Sequence, residues 1–151
     1  MTPFRFIFLY VIIILPLLFI SILTHELGHI IACVADGSDY TLNLDNFPIE
    51  FASVFCPDII YKNIFYLWGG SFSFILFAIP LLFKKIRQNI LLKAILFSIL
   101  SLQLLTAIAE TFFHTAYILS IPLLQFLLIL PLFPILIYFL TKCIRDCKVE
   151  R

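Results

Sequence analysis

Residues 21–37 read SILTHELGHIIACVADG and set His25, Glu26 and His29 in the pattern HExxH. On a helix, positions i and i+4 lie one above the other, so the two imidazoles face a common point and the carboxylate stands beside them. This is the donor arrangement of a zinc hydrolase. Two nitrogen ligands hold Zn²⁺, and Glu26 is placed to take a proton from an attacking water. The alternative, histidines hydrogen-bonded between helices or lying at an interface, has to explain why costly ionisable groups sit in an apolar run.

Catalytic zinc takes three protein ligands, so a third must come from elsewhere in the chain. In the soluble pattern HExxHxxGxxH it falls six residues past the second histidine, and Ala35 occupies that place. Asp36, at the end of the same helix, is a weaker candidate. The segment LQLLTAIAETFFHTAY carries Gln103, Thr106, Glu110 and His114 at intervals of three, four and four. At 100° per residue these make one polar stripe on an apolar helix. Interhelical hydrogen bonding accounts for Gln103 and Thr106 but poorly for a buried carboxylate. His114 or Glu110 is therefore expected to complete the metal shell, with His114 slightly preferred because a neutral imidazole is cheaper to bury. The other would orient it or the substrate.

The elements that must position these groups are membrane helices. The chain has 151 residues, 63% apolar, with 18 Phe and only 13% charged, well above the apolar share of soluble domains. Four stretches reach the roughly 20 residues needed to span a bilayer, at about 4–34, 59–83, 90–119 and 121–141. The expected architecture is an all-α integral membrane protein, four transmembrane helices in one compact bundle. The first apolar run is read as a retained helix because it is longer than a signal peptide's core and carries the histidines. Between the first two spans, TLNLD and PIEFASVF alternate apolar and polar residues, which predicts a small β-hairpin. A net charge of +1 offers no basic surface for nucleic acid. The four cysteines form neither a dense disulfide framework nor a CxxC pair, and Cys143 and Cys147, one turn apart, read as unmodified thiols.

Charge separates the connections. Residues 36–58 carry Asp36, Asp39, Asp45, Glu50 and Asp58 with no Lys or Arg, whereas 84–93 carry Lys84, Lys85, Arg87 and Lys93, and the tail adds Lys142, Arg145, Lys148 and Arg151. The positive-inside rule then puts both termini in the cytoplasm and the acidic connection outside. His25 lies roughly 20 residues into its span, and Glu110 and His114 lie 20 and 24 residues past Ile90. At 1.5 Å per residue the two sets reach a similar depth, near the outer interface, and can meet. In YLWGGSFSF, Gly69 and Gly70 open a gap against a neighbouring helix, for close packing or for an unwound substrate.

With HELGH at 25–29 on a membrane helix, an acidic hairpin-like segment after it and a GG pair in the next helix, residues 15–120 resemble the site-2 protease family of intramembrane zinc metalloproteases. The resemblance implies His25 and His29 as zinc ligands, Glu26 as catalytic base, and a membrane protein or peptide as substrate. That family usually takes its third ligand from an aspartate in a later membrane helix. Here the only aspartate after Asp58 is Asp146, in the tail, so Glu110 or His114 would have to substitute. The family also mostly places its metal toward the cytoplasm, opposite to the sidedness drawn from charge. The expected function is intramembrane peptide hydrolysis, with an edge strand of the hairpin holding the unwound substrate. Two rivals use the same residues: a zinc-dependent lipid amidase or esterase, and a non-enzymatic bundle that ligates haem or relays protons.

Overall fold

The computed structural model describes residues 2–43, 53–119 and 132–149, with side chains described up to Phe112 in the helix ending at Leu119 and up to Arg145 in the last helix. Helix α1, Pro3–Asp36, is one 34-residue element. Pro3 opens it at a position where the missing amide costs nothing, and the Thr2 hydroxyl accepts the Arg5 amide at 3.4 Å. Gly37 ends it at φ 76°, a left-handed conformation that favours glycine, and its N–H returns to the carbonyls of Cys33 and Val34. The helix is apolar nearly all round. Its buried residues nevertheless form one stripe, Phe6, Tyr10, Ile14, Ser21, His25, Gly28, His29 and Ala32, while Phe8, Ile12, Leu15 and Leu23 stay exposed on the face that meets lipid.

Strands β1, Thr41–Asn43, and β2, Ser53–Phe55, pair antiparallel with Leu42 opposite Val54. This is the short sheet expected after the first helix. A disulfide joins Cys33 of α1 to Cys56 just past β2, with Cα atoms 6.2 Å apart, a pairing the sequence spacing did not disclose. Helix α2, Lys62–Ala78, runs into a single 3₁₀ turn at Ile79–Leu82. The short α3, Lys84–Gln88, leads to α4, Ile90–Leu119, where the Asn89 side-chain oxygen accepts the amides of Leu91 and Leu92 at 3.0 and 3.1 Å. Helix α5, Leu132–Val149, follows.

Among the described residues three helices are long and apolar enough to cross a membrane: Pro3–Asp36, Lys62–Leu82 and Ile90–Phe112. The chain is an integral membrane protein by that measure, but not clearly a four-span one. Of the expected fourth span, residues 121–131 lie outside the described residues. Its described part, 132–141, is apolar and opens α5, whose charged residues Lys142, Arg145, Asp146 and Lys148 follow the end of the expected span.

Packing pivots on glycines. A Cβ on Gly28 would meet Gly69 Cα, Phe72 Cβ and the Trp68 carbonyl, each at 2.9 Å, so α1 and α2 cross backbone against backbone. The adjacent Gly70 turns the other way, where a Cβ would come within 2.8 Å of the Ala107 amide on α4. Helix α2 is thus wedged between α1 and α4 through two neighbouring glycines, as small residues allow in membranes. At one end, Phe6, Tyr10, Ile14, Leu91, Ile95, Ile99 and Phe139 form an apolar cluster, crossed by a buried Tyr10–Ser98 hydroxyl bond of 2.6 Å. At the other, Ala32, Cys33, Cys56, Ile59 and Phe65 pack beneath the hairpin. The chemistry-bearing residues lie between these clusters on α1.

Candidate metal centre

Helix α1 brings His25 and His29 to one face, and α4 supplies Glu110 at the same depth. One ligand atom from each lies within 4.8 Å of the others. The three residues are only 6%, 5% and 8% exposed, which removes bulk water as a solvating partner for them. His25 Nε2 and His29 Nε2 are 3.1 Å apart, and Glu110 contributes Oε1 at 3.1 Å from His25 Nε2 and Oε2 at 3.5 Å from His29 Nε2.

The outer nitrogens decide the protonation of the inner ones. His29 Nδ1 lies 2.9 Å from the Phe65 carbonyl, which can only accept, so Nδ1 carries the proton. His25 Nδ1 lies 3.2 Å from Gln103 Oε1, and the Gln103 amide is held in that sense because its Nε2 donates to the Ser21 carbonyl at 3.4 Å. In their neutral forms both rings therefore present Nε2 lone pairs to each other, a repulsive contact until a cation lies between them. Glu110 Oε2 is also buried with no hydrogen-bond partner. An orphaned buried carboxylate oxygen is costly unless a cation satisfies it.

These donors fit zinc. Tetrahedral ligands at about 2.0–2.1 Å from Zn²⁺ stand roughly 3.3 Å from one another, and the separations here are 3.1, 3.1 and 3.5 Å. Two imidazoles and one carboxylate form a donor set that catalytic zinc uses, with a fourth position free. The outer hydrogen bonds to Phe65 and Gln103 are the supports that keep such ligands aimed.

Glu26 is half-buried on the next position of α1 and is held separately. Its Oε2 accepts the Val54 amide of β2 at 3.1 Å, so the hairpin reaches down to Glu26 while the disulfide fixes its root to α1. Gly69 faces the same centre: a Cβ there would overlap Nε2, Cε1 and Cδ2 of His29, none farther than 2.8 Å. The space left by this glycine is filled by the His29 ring, and that left by Gly70 by α4.

The remaining expected residues divide. Gln103 reaches His25, but the Thr106 hydroxyl bonds the Leu102 carbonyl of its own helix at 2.9 Å. Asp36 accepts from Ser38 at 2.8 Å and from the Ile60 amide at 3.1 Å, tying the helix end to the following loop. His114 is one turn beyond Glu110, and its side chain lies outside the described residues. Sequence reasoning overlooked a buried hydroxyl set beneath His25. Thr24 Oγ1 and Ser73 Oγ are 2.8 Å apart, and Thr24 and Ser73 both donate to the Ser21 carbonyl, at 2.9 and 3.1 Å, the same oxygen that anchors Gln103. Polar Ser21 and Ser73 inside apolar spans were the available signal; the Phe65 carbonyl and the Val54 amide, being backbone, gave none. Comparison of the chain with protein-family models, with curated proteins and with solved structures found no match.

Proposed function

We propose that the protein is an intramembrane zinc endopeptidase of the site-2 protease kind, with His25, His29 and Glu110 as metal ligands and Glu26 as catalytic base. The observation that carries the reading is the convergence of two Nε2 lone pairs and an orphaned carboxylate oxygen at one buried point. A zinc ion bound there supplies Lewis acidity, making water easier to deprotonate and a carbonyl easier to attack. Glu26 takes one proton from that water and returns it to the departing amine nitrogen, so water adds across the C–N bond with no other reactant. Gln103 and the Phe65 carbonyl hold the imidazoles in the ligating tautomer. Strand β2, whose Val54 amide donates to Glu26, lies beside the base and can pair an unwound substrate segment along its edge.

The test presents a single-span helical peptide to the protein in lipid bilayers made in ¹⁸O-labelled water. Two peptide fragments should form, with one ¹⁸O in the new carboxylate and no fatty acid released from the lipid. Fatty acid release with the peptide intact would replace this reading by a lipid amidase or esterase. The 3.1 Å His25–Glu110 contact also suits the buried ion pair of a proton relay; that reading requires a protein without zinc.

The acidic connection and the centre beneath it are assigned to the non-cytoplasmic side. Two observations support this independently: the absence of Lys and Arg from residues 36–58, and the Cys33–Cys56 disulfide that ties that connection to the end of α1, since disulfides persist in oxidising compartments. In intact cells a membrane-impermeant maleimide should label Asp39→Cys and should reach Lys85→Cys only after permeabilisation. The reverse pattern would turn the protein over.

A further inference from the structure

We propose that the groove between α4 and α5 is a binding site for an anionic phospholipid, separate from the metal centre and independent of the protease reading. The groove encloses about 480 Å³ and is lined by Phe97, Tyr138 and Phe139 among other apolar residues, with Lys93 and Lys142 at its edge. A smaller cleft of about 180 Å³ shares Tyr138 and Lys142 and adds Arg145. Together they have the volume and make-up of a small-molecule site, an apolar body with a few placed charges.

Charge and position choose the occupant. Among the described side chains no Lys or Arg forms an ion pair, and the described carboxylate side chains, Glu26, Asp36, Asp39, Asp58 and Glu110, all belong to the opposite end. Lys93 and Lys142 therefore face one groove with no acidic partner among the described side chains, which suits a phosphate. Beneath them the wall is hydrocarbon: the Phe97 and Phe139 rings lie 6.1 Å apart and Tyr138 meets Phe139 at 5.2 Å, a surface for an acyl chain. Lys93 lies in the first turn of α4, where a membrane helix leaves the hydrocarbon, so cations and aromatic rings fall at headgroup depth. Basic pockets of this kind between membrane helices hold anionic headgroups. Glu110 is 17 residues further along α4, about 25 Å away, so a lipid here leaves the metal centre untouched.

The experiment titrates the purified full chain with phosphatidylglycerol or phosphatidylcholine and counts lipid adducts by native mass spectrometry. Wild type should take up one phosphatidylglycerol in preference to phosphatidylcholine. The double substitution Lys93→Gln/Lys142→Gln should weaken that binding roughly thirtyfold, whereas Lys84→Gln/Lys85→Gln, equal in charge but outside the groove, should leave it unchanged. A Phe97→Trp protein keeps every charge, and its added fluorescence should be quenched by phosphatidylglycerol with brominated chains and not by brominated phosphatidylcholine. Equal uptake of both lipids by wild type, or equal loss from the two double variants, would overturn the site and leave only diffuse attraction to a charged surface.

Discussion

Glu110→Ala is expected to empty the metal site: zinc measured by elemental analysis of detergent-purified protein should fall from about one ion per chain to under roughly a tenth. His29→Ala should do the same. The argument is geometric, because Glu110 is the residue whose two oxygens face both Nε2 atoms, at 3.1 and 3.5 Å, and losing it leaves two ligands where catalytic zinc needs three. Gln103→Leu is a graded control. It removes the acceptor behind His25 and the donor to the Ser21 carbonyl but no metal ligand, and loss of such a support costs about 10–100-fold in metal affinity, so zinc should be retained in excess metal and stripped first by a chelator. Thr106→Val should change nothing, since that hydroxyl serves its own helix. His114→Ala separates the two third-ligand assignments: near-full zinc fixes Glu110, and loss in His114→Ala with retention in Glu110→Ala transfers the role to His114. A wild-type protein that holds no zinc under metal-replete conditions would end the hydrolase reading and leave His25–Glu110 as an ion pair.

The part of this centre that periodicity encodes was legible in the residues. His25 and His29 are one turn apart, Gln103 and Glu110 two turns apart, and equal distances from the charged ends of α1 and α4 set them at one depth. The hairpin after α1 followed from alternation, and β1 and β2 form there. What could not be read depends on how helices face each other. Thr106 shares the polar stripe, yet α4 packs so that Gln103 and Glu110 are buried at the centre while Thr106 is half-buried and bonds its own helix. The Phe65 carbonyl and Val54 amide carry no residue identity, and only the crossing of α2 over Gly28 brings the former to His29. The Cys33–Cys56 bridge closes 23 residues, a span that fits no short motif. Gly69 and Gly70 read as close packing in preference to a substrate gap, and the fold sets His29 and Ala107 against them.

Glu26→Gln is the substitution that separates binding from chemistry. Glu26 does not belong to the group of three ligand atoms, so the variant should retain about one zinc per chain while peptide cleavage falls by about 10²–10⁴, the usual contribution of a general base. Glutamine keeps the side-chain oxygen that accepts the Val54 amide, so the hairpin should stay anchored and the loss reports basicity rather than unfolding. Glu26→Ala removes that acceptor as well, leaving the Val54 amide without its partner. It should therefore be no more active than Glu26→Gln and should melt at a lower temperature, by the roughly 1–3 kcal/mol that an unmatched polar group costs. The contrast matters because Glu26 holds β2 through its carboxylate, and the proposed mechanism asks the same carboxylate to take the proton of the attacking water. Undiminished cleavage by a zinc-loaded Glu26→Gln protein would remove Glu26 from the chemistry and leave it as the anchor of the hairpin alone.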